Sequence, residues 1–209
     1  MLDYLRDPEA IYRESFATIE AEARLDALPL GLRDVAVRMI HACGMVDLAD
    51  DIVGDGNLPG IARRALDDGE PVLCDSQMVR AGIIRRNLPR DNDLVVTLDN
   101  GEVPALARRL GTTRSAAAVE LWRERLEDAV VVIGNAPTAL FHLLEMIEAG
   151  APRPAAIIAA PVGFVGAVES KAHLEHGGLG IPFVTVRGRR GGSAIAAAAF
   201  NAIAGGKAS

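Results

Sequence analysis

The run Val130-Val131-Val132-Ile133-Gly134-Asn135-Ala136-Pro137-Thr138 decides the fold. Successive β-branched residues suit a strand buried on both faces. The glycine and asparagine that follow are turn formers, and Pro137 suits the first position of a helix. Strand, turn and helix in immediate succession make the βα unit of a layered α/β domain.

Similar apolar runs lie at Pro71–Cys74, Leu94–Leu98, Ala155–Ala160 and Phe183–Val186, most of them followed by a turn and a helical stretch. The alanine-rich run at 155–160 also fits a buried helical turn. Together these runs predict an α/β, doubly wound fold: a mostly parallel sheet of about five strands with helices on both faces. The first third reads as a helical N-terminal segment. Residues 8 to about 25 carry apolar positions at Ile11, Phe16, Ile19 and Ala23, close to a 3.6-residue period. A second helix is expected from about Gly31 to Cys43, with Leu32, Val35, Met39 and Ala42 on its apolar face and Gly44 ending it. With no internal repeat and no Pro/Ser-rich linker, residues 1–209 are expected to form one domain.

Composition narrows the function. The chain is 50% hydrophobic but only 4% aromatic, which suits aliphatic packing better than base stacking. A net charge of −6 argues against nucleic acid and against anionic membranes as partners. No apolar run approaches the ~20 residues that span a bilayer. Two cysteines, Cys43 and Cys74, and a charged N-terminus point to the reducing cytoplasm.

Several constellations could carry chemistry. Arg38 and His41 are three residues apart, hence on one helix face, just before the helix-ending Gly44. Carbonyls at a helix C-terminus favour a protonated imidazole, so His41 can hold and deliver a proton near neutral pH; the same position also fits a structural histidine. In this fold class, ligands sit beyond the carboxyl ends of the strands. Arg187-Gly188-Arg189-Arg190-Gly191-Gly192-Ser193 is the clearest anion signal there, and equally fits a solvated basic turn. Gly134–Thr138 could present backbone N–H groups to a ligand, or simply start a helix. Thr112-Thr113-Arg114-Ser115 should open a further helix capped by threonine, with Arg114 either clamping a carboxylate or standing in solvent. His173 and His176 lack a zinc pattern around them, and no serine lies in a G-x-S-x-G elbow. The dinucleotide fingerprint is also missing, which weakens a nucleotide-dependent methyltransferase reading.

Taken together, Arg38–Gly44, Thr113–Ala118, Gly134–Phe141, Pro161–Lys171 and Arg187–Ala194 resemble the precorrin-8X methylmutase family, over nearly the whole chain from Tyr4 to Ala204. The resemblance implies an isomerase of cobalamin biosynthesis that moves a methyl group from C11 to C12 of precorrin-8X, giving hydrogenobyrinate. Ala42-Cys43-Gly44 looks more like the aerobic, metal-free branch than the cobalt-bearing one. The resemblance further implies His41 as the catalytic acid, and Ser15, Arg38 and Arg114 as substrate-binding residues. It implies no cofactor, no metal, and a homodimer with active sites at or near the subunit interface. Arg187 and Lys171 could add positive charge for the acetate and propionate arms of the corrinoid. The competing expectation is a corrinoid carrier without catalysis, which would have no need of His41.

Overall fold

The computed structural model describes residues 2 and 4–205. In chain order the strands are β1 (Ile52–Gly54), β2 (Val72–Cys74), β3 (Leu94–Val95), β4 (Val130–Ile133), β5 (Ala156–Ala159) and β6 (Phe183–Val186). The helices are α1 (Pro8–Glu22), α2 (Arg33–Cys43), α3 (Leu58–Asp68), α4 (Gln77–Gly82), α5 (Val103–Leu110), α6 (Arg114–Glu120), α7 (Pro137–Glu148), α8 (Ala167–His176) and α9 (Ser193–Ala204). The sheet order is β1-β6-β5-β4-β2-β3. All neighbours are parallel except β1, which runs antiparallel to β6 with Ile52 opposite Val186. The fold class is as expected, with one strand more. Ile52-Val53-Gly54 is too short for any periodicity to reveal it; its pairing with β6, far along the chain, makes it a strand.

The pleat divides the core. Val130 and Val132 face a layer containing α2, α3 and α9, while Val131 and Ile133 face α7. The two faces are thereby covered by different helices, as the continuous β-branched run requires.

Helix α2 starts at the amino ends of the parallel strands. Gly31, just ahead of it, lies against Gly56 at the exit of β1, where Gly54 pairs with Val184 near the start of β6. The helix then runs to the carboxyl ends, where Asp47 and Asp51 meet Arg190 of the loop after β6. Gly44 closes it in the left-handed conformation, φ 70°, its N–H bonded to the carbonyl of Ile40. Leu32, Val35, Ala36, Val37, Met39 and Ile40 are buried. Ala42, expected on the apolar face, is exposed. At about 100° per residue it falls at the edge of the arc carrying Asp34, Arg38 and His41.

Helix α1 is attached more lightly. Ile19 is its one buried side chain; Phe16 and Ala23 are half-buried, and Ile11 is exposed. Tyr12, Ser15, Phe16 and Ile19 recur at the i, i+3, i+4, i+7 spacing of one helix face, and that face meets α2.

Candidate active site

Two helices build the site. The α1 face brings Tyr12, Ser15 and Phe16 against Arg38 and His41 on the polar arc of α2. Ser15 Oγ and His41 Nδ1 share a hydrogen bond of 2.8 Å. The imidazole stacks obliquely on Tyr12, with ring centroids 5.2 Å apart, and edge-on to Phe16 at 5.3 Å. Its Nδ1 is thus taken, while Nε2 has no hydrogen-bond partner among the described residues and the ring is exposed. Beside it opens a hollow of about 510 Å³ lined by Ile11, Ser15, Ile19, Ile40, His41 and Val46 among others. An apolar slot with a few convergent polar groups is the usual form of a small-molecule site.

Arg38 is held by aromatic side chains rather than by a carboxylate. Its Nη1 donates to the Tyr12 hydroxyl at 3.2 Å, and its guanidinium carbon lies 5.5 Å and 5.1 Å from the Tyr12 and Phe16 ring centroids. No described carboxylate lies within salt-bridge distance of it. Its charge is therefore supported by aromatic faces and left uncompensated, available to an anionic ligand.

The strand-end loops differ from expectation. Strand order reverses between β2 and β4, the crevice where doubly wound folds usually bind ligands. There the carboxylate of Asp75, 4% exposed, accepts the backbone N–H groups of Gly134, Asn135 and Ala136 at 3.1, 2.9 and 2.8 Å. Burial pushes its pKa up, with the three N–H groups and Ser76 pulling the other way. The turn after β4 thus gives its donors to a side chain of the protein itself. Pro137 does sit in the first turn of α7 as expected.

The arginine-rich loop after β6 is likewise committed inward. Arg187 forms a forked ion pair with Glu175, and Arg190 pairs with Asp51 and, at 2.7 Å, with Asp47. Lys171 is 1% exposed and donates from Nζ to the Arg190 carbonyl at 2.7 Å. Burial lowers its pKa to about 8. Arg187 and Lys171 therefore have internal partners and do not stand ready for a ligand. Arg189 alone of the three arginines points elsewhere, over the ring of the exposed Phe164 at 5.4 Å. The loop closes onto the turn after β5 through Gly192 N–H to Ala160 O at 2.7 Å, and a Cβ on Gly191 would lie 2.2 Å from that same oxygen. Only glycine permits this approach, at φ 156°.

Of the expected site residues, Ser15, Arg38 and His41 come together. Arg114 does not join them. It opens α6 at the carboxyl ends of the strands but on the α7 face of the sheet, bonded to the Leu98 carbonyl at 3.3 Å. Thr113 caps α6 as expected, its Oγ1 accepting the Ala116 N–H at 3.2 Å. Tyr12 and Phe16 were not anticipated as site residues, although their spacing from Ser15 and Ile19 carried the signal.

Comparison with known proteins identifies the family. The family model described as precorrin-8X methylmutase matches residues 10–205. The precorrin-8X methylmutase of Pseudomonas aeruginosa is 59% identical over 204 residues, covering 98% of each chain. That of a Sinorhizobium species is 54% identical over 202 residues, covering 97% of this chain and 96% of the relative. A crystal structure of precorrin-8X methylmutase from Thermus thermophilus superposes with a TM-score of 0.85 at 33% identity, covering 96% of this chain and all of that one. The chain belongs to the precorrin-8X methylmutase family.

Proposed function

We propose that this isomerase moves the C11 methyl group of precorrin-8X to C12, giving hydrogenobyrinate, with His41 as the acid. The observation that carries the acid assignment is the Ser15–His41 bond at Nδ1, which leaves Nε2 as the nitrogen to meet the macrocycle above Tyr12 and Phe16. The shift is intramolecular: the C11–CH3 bond breaks as the C12–CH3 bond forms, so mass is unchanged and no methyl donor enters. Protonating a ring nitrogen makes the π-system electron-poor and eases the migration. Nε2 lends that proton, and positioned acids of this kind contribute roughly 10²–10⁴-fold. Arg38 holds a carboxylate arm, and Arg114 remains a candidate for a second arm.

Replacing His41 by alanine should therefore abolish conversion of precorrin-8X, followed by the change in absorption at constant mass, while hydrogenobyrinate still binds. Near-normal turnover of that variant would refute the acid role. The metal-free substrate fits the names of the two relatives that share over half their residues with this chain. Faster turnover of the cobalt-bearing analogue would reverse that choice.

The same reading makes residues 1–209 one domain, acting in the cytoplasm as a homodimer. The support is α1: Leu5, Ile11 and Tyr12 stay exposed, and a second hollow of about 650 Å³ opens on its far side along Pro8, Tyr12, Phe16 and Ala17. Exposed apolar surface rimmed by charge suits a second subunit. Light scattering should give twice the chain mass, with activity recovered from the cytosolic fraction; a monomer at working concentration would exclude the dimer.

A further inference from the structure

We infer that Tyr12 is a positioning residue for Arg38, and that its hydroxyl sets how firmly the site grips a carboxylate arm of the substrate. The inference rests on the proposed role of Arg38 in substrate binding. The Tyr12 Oη accepts from Arg38 Nη1 at 3.2 Å, and the guanidinium lies over both the Tyr12 and Phe16 rings. Those two rings are themselves packed edge to face, with centroids 5.0 Å apart. Arg38 is thereby fixed in direction by neutral groups alone.

The alternative used elsewhere in this chain shows what that choice achieves. Arg187 and Arg190 are fixed by carboxylates, which hold the fork in place but cancel its charge. A phenol and two aromatic faces fix the fork while leaving the charge whole. Arginine offers five donors, and the phenol occupies one, so a forked pair of N–H groups stays open to an incoming carboxylate. A long side chain fixed before binding forfeits less rotamer entropy on binding, so affinity for the arm should depend on the hydroxyl even though the hydroxyl carries no charge. Tyr12 lies on the lightly attached α1 and is itself exposed, so changing it removes little core packing.

The test is steady-state kinetics on precorrin-8X with Tyr12→Phe, Tyr12→Leu, Arg38→Gln and the double variant Tyr12→Phe/Arg38→Gln. Losing the hydroxyl alone should raise KM about fivefold, the size of one net hydrogen bond, with kcat and thermal midpoint unchanged. Tyr12→Leu also loses a cation–π face and should raise KM roughly tenfold or more. In the Arg38→Gln background, Tyr12→Phe should add nothing, because there is no fork left to orient. An unchanged KM in Tyr12→Phe, or an equal rise with and without Arg38, overturns the inference. An unchanged KM in Arg38→Gln instead overturns the reading of Arg38 as a substrate contact, whatever Tyr12 does.

Discussion

The crevice between β2 and β4 and the α1–α2 pair lie at the same end of the sheet, and they treat their polar groups in opposite ways. In the crevice, Asp75 satisfies the three N–H groups of the turn after β4; the loop after β6 commits Arg187 to Glu175 and Arg190 to Asp51 and Asp47, and Lys171 of α8 donates to the Arg190 carbonyl. On the helix pair, Arg38 has only aromatic company, and His41 keeps one ring nitrogen free of hydrogen bonds among the described residues. The difference teaches where to look for chemistry in this family member. Groups that are buried and mutually satisfied form a frame; groups that are fixed yet incompletely satisfied are the ones a ligand can use. The usual ligand position of the fold has become part of the frame, and the candidate site lies on an early helix whose C-terminus reaches the same end.

This contrast is broken most severely at Asp75. Alanine there leaves three backbone donors, two of them buried, without an acceptor, offset in part by relief of a buried carboxylate. The expected loss is about 3 kcal/mol of stability, read from the urea midpoint, with unchanged turnover per folded molecule. Formate, small enough for the vacated space, should stabilise that variant more than the parent, since it restores an anion to the same donors. A loss below about 1 kcal/mol would mean that the turn is held by something other than this carboxylate, and would remove the frame side of the comparison.

Ser15 sharpens the opposite side. Its hydroxyl lies on a helix with few buried residues, so Ser15→Ala should leave the unfolding midpoint where it was. What it removes is the bond that orients His41, worth about 1 kcal/mol, or roughly fivefold in kcat/KM. A variant that unfolds early but turns over normally would place Ser15 with the frame.

How much of this was legible depended on how far each partner lies along the chain. Val130–Ile133, the capping Thr113, the first-turn Pro137 and the left-handed Gly44 act through immediate neighbours, and sequence reading placed all of them. Arg38 and His41 were paired by their helix spacing, Ser15 and the three roles came from family resemblance, and the meeting of these residues required only two adjacent helices. The misreadings concern long separations. Arg190 looked like a free cation because its carboxylate partner is Asp51, 139 residues earlier. The turn Gly134–Thr138 looked like a ligand cradle because the carboxylate that takes its N–H groups, Asp75, lies about sixty residues earlier. β1 is a strand only through β6. Charge in a loop is a local property of sequence, but whether that charge is spent is not. Tyr12 was the avoidable omission, since its helix spacing to Ser15 and Ile19 was local.

Lys171 gives the smallest expected effect and the one that most finely separates frame from site. Its pKa in the folded protein is lowered by burial to about 8, against 10.5 for an ordinary lysine. Between those values the unfolded chain binds more protons than the folded one, so stability attributable to Lys171 rises with pH across that window. Below about 8 the amine is charged in both states and its contribution is flat, carrying the full penalty of a buried ammonium. Lys171→Met removes the titration and the bond to Arg190, and it keeps an apolar stem in place. The midpoint difference between parent and variant should therefore shift in favour of the parent as pH is raised from 8 towards 10.5, while kcat at neutral pH stays the same. A difference independent of pH would show that the amine is not buried as a charge. A change in kcat would show that the loop after β6 belongs to the site after all, because a group that serves only the frame can alter how long the fold lasts without altering what His41 does.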